Sequence, residues 1–131
     1  MSSANVEVCR RLVEAVNRGD TEGVLADMDE QVEFIPRRAA LEGVFRGHRG
    51  VRDYLAETAK NFDHYHVRNE EMRDLGDRVL MFDSLTIRGH ASGVEMVVPT
   101  AIVVTFRHGK IVRFEDFGER SRALAAVGVL A

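Results

Sequence analysis

Four long segments of strand character fill the second half of this chain, with only three short turns between them. They run from His64 to Leu75, Arg78 to His90, Val94 to Arg107 and Ile111 to Gly118. The separating signals are Gly76-Asp77, Ala91-Ser92-Gly93 and His108-Gly109-Lys110. Connections this short suit antiparallel neighbours, so a meander is expected. Pro99 falls mid-strand and removes a ladder donor, so an edge, a bulge or a sharp bend is expected there. The run VVPTAIVVTF is apolar on both faces, so the second face of the sheet needs a cover. A partner subunit is the economical candidate, and a homodimer through the sheet is expected.

The first half has the other periodicity. Val6, Cys9, Leu12, Val13 and Val16 recur at three- and four-residue steps and mark one face of a helix. Gly19 is its expected C-cap, and Asp20 is expected to cap a second, short helix carrying Val24, Leu25 and Met28. Gln31 to Ile35 reads as a short strand ended by Pro36. Arg37 to Gly47 reads as loop, with Leu41, Val44 and Phe45 tucked inward. A third helix should start near His48 to Val51 and run to about Phe62, burying Val51, Tyr54, Leu55, Thr58 and Phe62. A last helix should run from Glu119 to about Val127 and end at Gly128. Helices followed by a meander is the order of an α+β domain, here a curved antiparallel sheet wrapped around three N-terminal helices with a short C-terminal helix. No repeat, low-complexity tract or linker divides the 131 residues, so one domain over 1–131 is expected.

Charge excludes some partners. Eighteen Lys plus Arg against 21 Asp plus Glu give a net charge of −3, without the basic surplus that nonspecific nucleic-acid or anionic-membrane binding needs. No apolar run approaches the roughly 20 residues of a membrane span, and MSSANVEVCRR lacks the apolar core of a secretion signal. Cys9 is the one cysteine and has no internal partner, so a reducing, cytoplasmic location is expected. Without CxxC, HExxH, a Walker loop or GxGxxG, neither a metal nor a cofactor is expected.

Several stretches carry a family pattern: Asn17-Arg18-Gly19-Asp20, Phe45-Arg46-Gly47-His48-Arg49-Gly50-Val51-Arg52, Leu75-Gly76-Asp77-Arg78-Val79, Thr105 to Val112, and Arg122 to Val129. Together they resemble the SnoaL-like branch of the nuclear transport factor 2 superfamily over nearly the whole chain. The resemblance implies a cystatin-like cone fold with a deep apolar pocket between the concave sheet face and the helices, usually in a dimer. Function is open at this level, because the fold hosts isomerases, epoxide hydrolases, dehydratases, polyketide cyclases and proteins without known activity.

Acid-base chemistry in such a pocket needs a carboxyl or histidine in apolar walls, where burial lifts a carboxyl toward neutrality. In similar cyclases and epoxide hydrolases an aspartate two residues after an aromatic on the last strand faces the cavity, and Phe114 and Asp116 match that spacing. Asp83 is the second candidate. In Val79-Leu80-Met81-Phe82-Asp83-Ser84-Leu85-Thr86-Ile87 it shares the more apolar face with Val79, Met81, Leu85 and Ile87. Two readings of it stand: it joins Asp116 in the pocket, where like charges would split the two into acid and base, or it lies on the dimer side, paired with Arg68 or Arg88. Resemblance to the epoxide hydrolases would require Asp-Arg-Asp, but Asp83 and Leu85 fall where the arginine and second aspartate would be. Resemblance to the steroid isomerases would require a tyrosine and two aspartates where Leu12, Ile35 and Ile102 stand, so that activity is rejected.

Tyr54 either offers its hydroxyl to a ligand or packs under the sheet. Phe34, Phe62, Met81, Ile102, Val104 and Phe114 are core or pocket-wall residues. His64 and His66 share one strand face with Tyr65 opposite, and the solvated face is the expected one for the histidines. His48 reads as a loop or cap residue, and His90 and His108, beside turns, as exposed. Arg46, Arg49 and Arg52 read as a solvated face balanced by Asp53 and Glu57, or as an anion site. The expectation is a cofactor-free domain binding a small hydrophobic molecule. It is either an acid-base isomerase, cyclase or dehydratase using Asp116, Asp83 and Tyr54, or a ligand-binding or dimerisation module without catalysis.

Overall fold

Val8, Cys9, Leu12 and Ala15 form the buried face of helix α1 (Ser3–Arg18) in the computed structural model of the chain, which describes residues 3–37 and 43–128. Gly19 ends the helix in left-handed backbone (φ 67°), a conformation cheap without a Cβ, and the Asp20 N–H then reaches back to the Ala15 carbonyl. The Asp20 carboxylate accepts from the Gly23 N–H at 2.9 Å and starts α2 (Thr21–Leu25). Met28 does not extend this helix as expected. It opens β1 (Met28–Ile35), where it lies opposite Ile111 of the last strand, and that pairing wins over one more helical turn.

Phe45 and Arg46, expected in a loop, form the short strand β2 against Phe34 and Glu33. Phe45 is half-buried, whereas Val44 is 40% exposed rather than tucked in, because successive residues of extended chain point to opposite sides. Leu41 lies outside the described residues. Helix α3 (Gly47–Asn61) buries Val51 fully and Tyr54, Leu55 and Thr58 partly, and Phe62 already belongs to the next strand. The meander follows as β3 (Phe62–Asp74), β4 (Arg78–Gly89), β5 (Glu95–Arg107) and β6 (Lys110–Asp116), with α4 (Arg120–Ala126) at the end.

The six strands form one curved, unclosed sheet in the order β2-β1-β6-β5-β4-β3. Three helices precede the meander as expected, but β1 and β2 interrupt them. The sheet is not wholly antiparallel either: β1 and β6 run parallel, because the chain returns to β1 only after the whole meander. β6 covers β5 only from Ile102 to Arg107, so Pro99 sits on a stretch of β5 with a local free edge.

Parity along β4 and β5 separates two cores. Val79, Met81, Ile102 and Val104 join α1 and β1 on the inner face. Leu80, Phe82, Ala101 and Val103 form a second cluster on the outer face, beneath Ala123 and Leu124 of α4. Here α4 of the same chain covers part of the outer face, and Val97 further along β5 stays exposed. The Arg120 guanidinium lies 4.2 Å from the centre of the Phe82 ring and pairs with Glu71 at 3.2 Å, which holds α4 in place. No helix among the described residues is long and apolar enough to cross a membrane.

Candidate functional site

Between α1, α3 and the concave face of the sheet lies a cavity of about 760 Å³, within the range of small-molecule sites. Its walls are mostly apolar. Leu12 and Val16 come from α1, Leu55 from α3, and Met81, Ile102 and Phe114 from the strands. Register builds one aromatic wall: Phe45, Phe34 and Phe114 are successive neighbours across β2, β1 and β6. Phe34 stacks on Phe114 at 4.7 Å, and Tyr54 of α3 lies against Phe34 at 4.7 Å and edge-on to Phe45 at 5.3 Å.

Both candidate aspartates line this cavity. Asp83 is 2% exposed, and its Oδ1 accepts from the Asn69 side-chain amide at 2.7 Å. It makes no ion pair with Arg68 or Arg88 among the described residues; Arg68 instead meets Glu70 at 3.1 Å. Loss of water raises its pKa to about 6, the Asn69 hydrogen bond opposes the rise, and the charges of Asp116 and Glu70 add to it. Asp116 also has a raised pKa through burial. Its Oδ1 accepts from the backbone N–H groups of Gly118 (2.8 Å) and Ala101 (3.2 Å), which, with the nearby Arg37 charge, oppose that rise.

The register orders these groups. Asp83 is the direct partner of Thr100 across β4 and β5, and Asp116 is the partner of Ile102, two residues further along β5. Thr100 also lines the cavity; it is 9% exposed, and its hydroxyl has no hydrogen-bond partner among the described residues. Across from them Tyr65 projects inward, its hydroxyl bonded to that of Tyr54. Burial first, and then the neighbouring Tyr54, Asp116 and Asp83, keep the Tyr65 phenol protonated far above neutrality.

Of the other candidate wall residues, Phe34, Phe62, Met81, Ile102, Phe114 and Tyr54 all line the cavity. Val104 does not. It is on the inner face of β5, as parity requires, but one step deeper than Ile102, fully buried in the core below the cavity floor. His64 and His66 point outward, exposed and stacked on each other at 6.3 Å, with Tyr65 inside. His48 donates its Nε2–H to the Met28 carbonyl (2.8 Å), and His90 meets Asp63 at 2.7 Å on the surface. Arg46 and Arg52 are charge-balanced, though by Glu33 and Glu22 rather than by Asp53 and Glu57. Cys9 is buried, and desolvation pushes its thiol up to about 12.

Thr100, Tyr65 and Arg37 were missed as cavity groups, and Asn69 was missed as the partner of Asp83. Tyr65 and Asn69 were within reach of the strand alternation, since they share parity with Val67 before a bulge at Glu70 breaks it. Arg37 and Thr100 carry no comparable signal. Arg37 leaves the end of β1 in irregular chain, and Thr100 sits in a run apolar on both faces.

The fold and the sequence converge on one family. No curated protein matches the chain. Among solved structures it is similar to an NTF2-like protein of unknown function from Burkholderia pseudomallei (22% identity, 95% of this chain and 97% of that one, TM-score 0.81). It is also similar to a putative SnoaL-like polyketide cyclase from Jannaschia sp. (20% identity, 96% and 90%, TM-score 0.79). A third similar structure is TerC co-crystallised with polyporic acid (23% identity, 96% and 97%, TM-score 0.79). At such identities these likenesses concern the fold. The family model for the SnoaL-like domain, however, matches residues 9–114, most of the helices and all but the end of the sheet, and the chain therefore belongs to the SnoaL-like domain family.

Proposed function

We propose that the chain binds a small hydrophobic molecule in its cone-shaped cavity and transfers a proton on it, in a cofactor-free isomerisation, cyclisation or dehydration. The observation that carries this reading is that two carboxyls line one cavity, Asp83 buried and raised to about 6 and Asp116 half-buried and raised by loss of water. A carboxyl poised there can give or take a proton near neutral pH, and its neighbour can hold the complementary state. Asp116 commits one oxygen to the Gly118 and Ala101 N–H groups and keeps the other for the ligand. In this reading Asp116 accepts a proton from carbon next to a carbonyl. Protonated Asp83 delivers its own to the carbonyl oxygen, leaving an enol and exchanged charges. Reversal at a different carbon completes an isomerisation. Tyr54 and Tyr65 supply hydroxyls at the same wall. The co-crystallisation of similar TerC with an organic acid supports occupancy of such a cavity by an organic ligand.

Hydrogen–deuterium exchange of 2-tetralone in D₂O tests this without knowledge of the natural substrate. Wild type should speed exchange next to the carbonyl, and Asp116→Asn should lose about 100-fold of that acceleration while still binding the ketone. Binding without acceleration in wild type would favour a second reading, a ligand-binding module without catalysis. Leu12 and Ile102 favour that second reading, because they place apolar groups in the cavity where similar steroid isomerases use polar ones. We further propose a homodimer through the outer face of the sheet beside α4, where Val97 is 64% exposed next to Pro99. A reducing, cytoplasmic setting accords with the buried single cysteine.

A further inference from the structure

We propose that Arg37 is a specificity-determining residue that selects ligands with an apolar ring system and an anionic end, and holds that end at the cavity mouth. The inference rests on the reading of the cavity as a ligand site and adds the class of ligand that the site takes. Arg37 lines the cavity yet is exposed, so its guanidinium stands where the apolar walls meet solvent. Other charged groups on the cavity have partners. Arg18 pairs with Asp20 at 3.3 Å and Glu14 at 3.9 Å, Asp63 meets His90 at 2.7 Å, and Asp83 accepts from the Asn69 amide at 2.7 Å. Arg37 is near enough to Asp116 for its charge to act there, but it makes no ion pair among the described residues. A guanidinium left open in this way offers a planar fork of N–H donors that fits a carboxylate.

The fold builds this placement. Phe34 of β1 lies beside Phe114 of β6, and Ile35 beside Glu115. The buried Pro36 ends the ladder, and Arg37 then comes to rest on Gly118. A Cβ at residue 118 would lie 2.9 Å from Arg37 Nε and 3.5 Å from its Cγ and Cδ, so the bare glycine leaves the space in which the arginine stem lies. The same Gly118 donates its N–H to Asp116 at 2.8 Å, which ties the cation and the carboxylate to one residue without pairing them. Charge then fixes how a ligand enters. Inside the cavity an anion would face the Asp83 and Asp116 carboxyls, and like charges between apolar walls are costly. At the mouth it meets Arg37. A molecule with a carboxylate at one end therefore goes in rings first, against Phe34, Phe114 and Tyr54, with the acid outermost. A neutral molecule of the same shape gains nothing from Arg37, and this supplies discrimination against it.

The probes 2-naphthoate and 2-naphthamide share a shape and differ in charge at neutral pH, so calorimetric titration with both reads the charge alone. Wild type should bind the naphthoate about fivefold to tenfold more tightly than the amide, a margin that shrinks with added salt because Arg37 is exposed. Arg37→Gln should remove that margin while amide binding stays the same, and Arg37→Lys should keep part of it. Equal weakening of both probes in Arg37→Gln would show that the side chain only shapes the wall and would overturn the proposal. A margin unchanged in Arg37→Gln, or a wild type that binds the amide as tightly as the acid, would overturn it as well, with the cavity reading intact. Failure of wild type to bind either probe would overturn both.

Discussion

Asn69 and Asp83 face each other across β3 and β4, and the Asn69 amide donates to the Asp83 carboxylate at 2.7 Å. The bulge that follows directly, in which Glu70 has no register partner, shifts the inward set from Tyr65, Val67 and Asn69 to Met72. The bulge thus keeps one amide aimed at the buried carboxyl and returns the rest of β3 to the core.

Asp83→Asn should stabilise the protein at neutral pH. A carboxyl raised to about 6 in the folded state binds its proton more tightly than in the unfolded chain. The contribution of Asp83 to stability is therefore fully present at low pH, falls as pH rises from about 4 through 6, and stays lost above that. Asparagine mimics the protonated acid and still accepts from Asn69. Urea unfolding at pH 7.5 should show a gain on the order of 2 kcal/mol, shrinking toward zero near pH 4.

Asn17→Ala should loosen the free side of β3. The Asn17 amide accepts from the Val67 N–H and donates to the Val67 carbonyl, both at 2.8 Å, so it serves as a strand neighbour for an edge that has none. Loss of both bonds should cost about 2 kcal/mol, and amide exchange at Val67 should quicken well beyond that at Leu80.

Gly118→Ala should act on Asp116 at a distance. The glycine has φ 79°, and an added Cβ would lie 2.9 Å from Arg37 Nε. Backbone strain should cost about 1–2 kcal/mol. Displacement of Arg37 removes a charge that lowers the Asp116 pKa, so NMR should find that pKa higher than in wild type.

Val97→Glu should leave a folded monomer. Val97 lies on the outer face, away from the cavity, so circular dichroism should be unchanged while sedimentation velocity shows a dimer for wild type alone.

Much of this was legible because period-two alternation carries far along a strand. It set Asp83 with Met81 and Leu85, Asp116 with Phe114, and His64 and His66 opposite Tyr65, all as the fold has them. Depth was not legible. Ile102 and Val104 share a face, and only the closing of α1 and β1 over the sheet decides that one lines the cavity and the other lies beneath it. Thr100 was hidden in a run apolar on both sides, where parity has no contrast to work with. Met28 was drawn into a helix by its spacing from Leu25, and a strand more than 80 residues later claims it. The share of the outer face that α4 covers was not legible, because that helix is only seven residues long.

The account depends most on Asp83 holding its proton near neutrality inside the cavity. A carbon-detected NMR titration of the Asp83 carboxyl measures this directly. It should show a midpoint of about 6, moving further upward in Asn69→Ala, where the opposing hydrogen bond is gone. A midpoint near 4, unmoved by that substitution, would contradict it.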